Sequence, residues 1–249
     1  MNCRPLNTIA TAVIVLPVLL TGCAANSTGA PPAPNRAQII AREASDQIAQ
    51  LQADEARRLR EALALGEHGD RAYANGAAFT RDGRDENARE QFELAVSYYT
   101  QAVSTYDQFF ALWNNLGTAL MELNRYQQAE EAFIQAAVIN PADPRPLYNR
   151  GLLYRERGYP ADARRYFERA LEKDPNYIDA LWGTIRADIT LREESRQTLD
   201  RIRTALFIVT DRQHRVYLEL ERERIRSKLG LSESREQRRS SDPEPVPLP

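Results

Sequence analysis

Apolar residues recur at helical spacing from Arg36 to about Leu65, with no proline or glycine among them: Ile40, Ala44, Ile48 and Leu51, then Leu59 and Leu63. Acidic and basic residues share the other face, so the stretch predicts one long amphipathic helix over 36–65. The stripe is interrupted near Asp54–Arg57. Two roles stay open for it: packing on the rest of the chain, or self-association as a coiled-coil arm.

A second pattern occupies Phe110 to Tyr177 and occurs twice. Gly117 is answered by Gly151, Ala129 by Ala163, Phe133 by Phe167, Ala136 by Ala170 and Pro141 by Pro175, every offset being 34 residues. Each copy predicts a pair of helices joined by a short turn. Glycine in mid-helix costs about 1 kcal/mol against alanine, and here it makes room for the second helix to approach. Ala129 and Ala163 are the small partners on that helix, and Phe133 and Phe167 fill the space between neighbouring pairs. Pro141 and Pro175 follow helix ends, where proline cannot continue the helix. Asp143 before Pro144 predicts an N-cap with proline at the first helical position.

An earlier copy is displaced by 41 residues: Gly76, Phe79, Ala88, Phe92 and Ala95 precede Gly117, Leu120, Ala129, Phe133 and Ala136 by that interval. The excess over 34 is about two helical turns. Ala95, Tyr99 and Ala102 repeat the buried pattern one heptad later, so a long second helix, about Asn87 to Thr105, absorbs it. The turn before it is Asp82–Asp85 with Gly83. After Pro175 the pattern weakens. Leu181, Trp182, Ile185, Ile189, Leu199, Ile202 and Leu206 predict two more helices over 178–211, with no small residue at the expected glycine place. A charged last helix spans about 212–229. The segment 230–249 turns Ser- and Arg-rich and then Pro-rich, and no core is expected there.

The motif Trp113-x2-Leu116-Gly117-x2-Leu120, Ala129-x3-Phe133, Pro141 resembles the tetratricopeptide repeat, a helix–turn–helix unit of this period. The second copy has Leu147 in the tryptophan place and Arg150 in the leucine place. The resemblance implies an all-α fold: a tetratricopeptide-repeat helical solenoid with a long N-terminal helix and a C-terminal capping helix. Its units would be 69–109 with an extended second helix, 110–143, 144–177, and a degenerate pair at 178–211. In that family the first helices line a concave groove that holds extended peptides or helices. Carried over, the groove positions are Tyr73, Ala77 and Thr80; Asn114, Thr118 and Met121; and Arg145, Tyr148, Leu152 and Arg155. Arg145 and Arg155 would bracket Tyr148 and hold a carboxylate. The family's two-Lys, two-Asn, one-Arg carboxylate clamp is matched in type only by Asn115 and Arg145.

At the N-terminus, Arg4 precedes a short apolar run, Ile9–Leu20, with Pro17 inside it. That run is short for a membrane span and reads as a leader over 1–22. Leu20-Thr21-Gly22-Cys23 then resembles the lipobox of bacterial lipoproteins, which implies cleavage before Cys23 and lipidation of that cysteine. Ala24 follows it; by the family's sorting rule this implies an outer-membrane location facing the periplasm. The stretch 23–35, with Pro31, Pro32 and Pro34, reads as a tether. Together these features resemble repeat lipoproteins such as the pilotins of secretins and the adaptors of cell-wall enzymes. The partner they imply is an envelope protein or peptide.

Composition narrows the remaining chemistry. Charged residues are 27% with a formal net charge of −2, so no nucleic-acid partner is expected. The two cysteines, Cys3 and Cys23, both lie within the first 23 residues, leaving no disulfide framework and no cysteine metal site. His68 and His214 stand alone and read as surface residues. Carboxylates interleave with arginines in the manner of solvated helix faces. No nucleophile motif, phosphate loop or metal spacing occurs, and neither enzyme activity nor a cofactor is expected.

Overall fold

The computed structural model describes residues 35–231, and every regular element among them is an α-helix. In chain order these are α1 (Arg36–Arg81), α2 (Asp85–Thr105), α3 (Phe110–Glu122), α4 (Tyr126–Ile139), α5 (Arg145–Glu156), α6 (Pro160–Lys173), α7 (Ile178–Leu191), α8 (Arg196–Ile208) and α9 (Arg212–Lys228). The expected leader, nearly all of the tether, and the tail from 232 onward lie outside the described residues.

The chain divides into two compact units, which among the described residues are 35–49 and 50–231. The first, taken by itself, is helix. Its start is fixed by a reciprocal pair of hydrogen bonds, in which Gln38 N–H donates to Asn35 Oδ1 and Asn35 N–H to Gln38 Oε1, both at 2.9 Å. This is the capping-box arrangement with amide side chains. Ile39, Ile40 and Ile48 are exposed along it.

The sequence predicts a helix ending near Leu65 and another starting near residue 69. The structure overturns that boundary, because α1 runs on to Arg81. Gly66, Gly69 and Gly76 are close-approach positions instead of stops: a Cβ at each would fall 2.7, 2.6 and 2.7 Å from Leu112, Tyr99 and Phe92. Packing outweighs the helix cost of glycine at these points. The end of α1 therefore serves as the first helix of the first pair.

That pair shows why the excess is seven residues. α2 has 21 residues where α4 and α6 have 14. Phe92 faces Gly76, and one heptad further along α2 the buried Tyr99 faces Gly69. The Tyr99 hydroxyl donates to Asp70 Oδ1 at 2.6 Å. The same glycine–ring contact recurs in Gly117 with Phe133 and in Gly151 with Phe167. Phe167 also lies against Gly183, where a Cβ would be 2.8 Å from the ring. The small residue missing from the expected place in α7, now filled by the buried Ile185, is thus supplied two positions earlier.

The hairpin turns repeat as well. Gly83, Asn124, Gly158 and Arg192 have φ of 69°, 58°, 82° and 58°, and they are spaced by 41, 34 and 34 residues. Each turn needs one left-handed residue; glycine and asparagine take this at little cost, and Arg192 does not.

First helices approach one another, α3 with α5 and α5 with α7, whereas among the described residues α2, α4 and α6 do not. The first-helix face is therefore the one on which side chains from successive pairs meet. Its C-terminal end is secured by buried charge, against the expectation of solvated faces. Asp188, 3% exposed, accepts from Thr198 Oγ1 at 2.8 Å and Arg201 Nη1 at 2.9 Å, and pairs with Arg164 at 3.3 Å. Glu194, on the turn between α7 and α8, is paired with Arg224 at 3.0 Å and with Lys228, both on α9. Its side chain is 2% exposed. These pairs hold α9 on the preceding turn, which brings His214 and Tyr217 to the first-helix face.

Candidate functional site

Few of the expected groove residues are open. Met121 is buried in the core, because its turn of α3 faces inward, so it offers no groove surface. Leu152 is half-buried against the same cluster. Asn114 is also buried; its Oδ1 accepts from Asn149 Nδ2 at 2.9 Å, tying α3 to α5. Thr118 turns its hydroxyl back to the Asn114 carbonyl at 3.0 Å. Tyr73 is half-buried against Phe92 and donates to Glu122 Oε1 at 3.0 Å. Burial and the Glu122 carboxylate push its phenol well above the usual range.

Arg145 is occupied. Its Nε lies 2.9 Å from Asp143 Oδ1 and its Nη2 2.7 Å from Oδ2, and the guanidinium stands 5.0 Å from the Phe110 ring centroid. The expected bracket of Arg145 and Arg155 around Tyr148 therefore does not form. Asp143 caps the start of α5 through the Arg145 N–H at 2.9 Å, and the same carboxylate captures the Arg145 side chain. Arg150, in the leucine place, is likewise internal: it bonds Glu130 at 2.6 Å and the Tyr166 hydroxyl at 2.7 Å.

Tyr148 and Arg155 do come together, with groups that the repeat pattern gave no reason to join to them. They form one wall of a cleft of about 680 Å³ whose other lining comes from α7, α9 and Val209 at the end of α8. The Tyr148 ring is wedged between Phe167 at 5.6 Å and Tyr177 at 5.4 Å. Opposite it, Trp182 on α7 meets His214 edge-on at 5.5 Å and Tyr217 at 5.6 Å. His214 Nδ1 lies 2.7 Å from Asp211 Oδ2, which sets the angle of the imidazole. His214 is thus part of the cleft wall as well as solvent-exposed.

Charge in the cleft is uneven. Arg155 has one acidic neighbour, Glu156 at 3.8 Å, and Arg186 has no ion pair among the described residues. Asp179 is the carboxylate of the lining. Burial raises the Tyr148 phenol above its ordinary value and Asp179 adds to this, while Arg155 and Arg186 pull it back. All three charges therefore act on the same phenol. The arrangement offers two exposed guanidinium groups beside a partly buried aromatic floor. Such a surface takes a carboxylate next to an apolar or planar group.

Residues 110–143 and residues 144–177 each match the family profile of the tetratricopeptide repeat. Two such repeats therefore occupy α3 to α6. The chain is 28% identical over 109 residues to tetratricopeptide repeat protein 28 of Mus musculus, an alignment covering 44% of this chain and 4% of that protein. It is 32% identical over 91 residues to the general transcriptional corepressor ssn6 of Schizosaccharomyces pombe, covering 36% of this chain and 8% of the other. It thus spans a small fraction of the length of both. Among solved structures it is similar to the Arabidopsis OM64 TPR domain, with a TM-score of 0.39 and 22% identity over 51% of this chain and 98% of that one. It is also similar to the first TPR of Spaghetti (RPAP3) bound to an HSP90 peptide, with a TM-score of 0.40 and 19% identity over 51% and 95%.

Proposed function

We propose that this chain is a non-catalytic adaptor that binds an envelope protein through the cleft between α5, α7 and α9, and that lipid on Cys23 anchors it to the outer membrane, facing the periplasm. One observation carries the binding reading. Arg155 and Arg186 stand exposed on the first-helix face beside Tyr148, Trp182 and Tyr217, while the residues of the repeat motif are consumed in packing. The partner segment presents a carboxylate next to an apolar side chain. The anchor rests on Leu20-Thr21-Gly22-Cys23, outside the described residues; no described helix is long and apolar enough to cross a membrane.

The test is Arg155→Glu with Arg186→Glu. Contacts of this kind at the centre of an interface are worth about 2 kcal/mol each. The double variant should lose its partner in pull-downs from membrane extracts while keeping its helicity and melting temperature. Retained binding would remove this reading.

Ile40 and Ile48 of the first unit favour a second one. Both are 56% exposed, and such a stripe suits a homo-oligomer formed through residues 36–65. A monomer in sedimentation would exclude that alternative.

A further inference from the structure

The same cleft fits a segment of the chain itself. Residues 242–248 read Asp242-Pro243-Glu244-Pro245-Val246-Pro247-Leu248: two carboxylates, then two apolar side chains, with a proline after each of the first three. We propose that this segment docks in the cleft of its own chain, its carboxylates on Arg155 and Arg186 and its prolines and Val246 against Tyr148, Trp182 and Tyr217, and that it competes there with the partner. The proposal rests on reading the cleft as the partner site.

Three observations support it. The first is charge: the cleft presents two exposed arginines, one without an acidic partner among the described residues, against Asp179, and Asp242 and Glu244 supply the opposite sign. His214 is paired with Asp211 and leaves the arginines as the anion-facing groups. The second is shape and ordering cost. Residues before proline are held extended, and proline-rich segments dock on aromatic-lined grooves with little entropy left to lose. The third is reach. The cleft touches α9 at His214 and Tyr217, and α9 continues to Lys228. At 1.5 Å per helical residue, about 20 Å of helix separates the two points. The chain from Leu231 to Asp242 can extend to roughly 36 Å, enough to return.

A linker of this length holds the segment at an effective concentration of about 1 mM. An intrinsic dissociation constant of about 0.1–1 mM then keeps the cleft about half to nine-tenths occupied, and partner affinity falls by about two- to tenfold.

The experiment uses the full chain labelled with fluorotryptophan, in which Trp182 reports on the cleft. Trp113, whose indole is bonded to the Asp107 carbonyl, is the internal reference. Asp242→Lys with Glu244→Lys should shift the Trp182 resonance, raise its quenching by acrylamide and strengthen partner binding two- to tenfold, leaving Trp113 unchanged. Arg155→Glu with Arg186→Glu should give the same Trp182 change. Combining the two pairs should restore the original signal, because the charges are then exchanged. A Trp182 signal indifferent to the tail substitutions overturns the proposal. So does a change that vanishes on dilution, since the occupant would then be a second copy's tail. The two readings fail separately. If the tail moves Trp182 but the cleft variant still captures its partner, self-docking stands and the adaptor site does not. If the cleft variant loses its partner and the tail has no effect, the reverse holds.

Discussion

The ring of Phe167 fills the space that a side chain at Gly151 would need. A Cβ built on Gly151 collides with the edge of that ring, and the other edge lies against Gly183. One phenyl group thus fixes the spacing of α5 and α6 and joins both to α7.

Gly151→Leu should therefore destabilise the fold by about 3 kcal/mol, since a branched side chain must displace a packed ring. Gly83→Ala meets nothing within 4 Å but has φ of 69°. Its cost should be smaller, about 1 kcal/mol, and come from backbone strain alone. Urea titrations of the two variants check this; equal midpoints would remove the distinction between packing and strain.

Arg192 is the odd member of the four left-handed turn residues. Its side chain makes no hydrogen bond among the described residues, so Arg192→Gly loses little and relieves a strain of about 1–2 kcal/mol. After the entropy cost of glycine in the unfolded chain, the expected gain is about 0.5 kcal/mol. A rise in melting temperature is the readout.

Glu194 should make stability depend on acid. Burial alone would raise its carboxyl, but hydrogen bonds from Lys228 and Arg224 outweigh this and hold it below the usual 4.5. A carboxylate with a depressed folded value adds stability above its unfolded value and loses it as pH falls through the folded one. The wild type should weaken below pH 4.5 more steeply than Glu194→Gln. Denaturation midpoints across that range would show the two curves converging in acid.

Arg145→Glu separates the expected groove from the observed cleft. Arg145 is bound to Asp143 and lies outside the cleft lining, so partner binding should persist where Arg155→Glu with Arg186→Glu abolishes it. Cys23→Ser, in turn, should stop incorporation of a labelled fatty acid; continued labelling would remove the anchor.

The repeat was legible because packing requires particular residue types at fixed places. Gly117, Ala129 and Phe133 each have one viable size, and a constant offset exposes them. The seven-residue excess in α2 was legible because Ala95, Tyr99 and Ala102 repeat the buried pattern one heptad later; that Tyr99 faces Gly69 was not. The continuity of α1 was not, because a glycine that ends a helix and one that admits a ring look alike in a single chain. The cleft was half legible. Tyr148 and Arg155 follow from the register of one repeat, but Arg186, Trp182 and His214 belong to helices beyond the clear repeats, where the pattern no longer fixes which face points where. Arg192 lies one period of 34 after Gly158, but its residue type gave no sign of a left-handed turn, since arginine is an ordinary residue in every other backbone setting.

The extra seven residues of α2 make the first hairpin a part of adjustable length. A heptad advances a helix by two turns and rotates it by only about 20°, so adding one leaves every later contact in phase. In a stack where each unit senses only its neighbours, another heptad in α2, matched by one in α1 carrying glycine opposite the new ring, would lengthen this hairpin and leave the cleft between α5, α7 and α9 unaltered. An insertion of four residues would turn the buried face aside and uncouple the hairpin. Growth of this hairpin is therefore expected in steps of seven, and a ladder of such variants would show how many heptads the α2 contact can gain before its pairing with glycine fails.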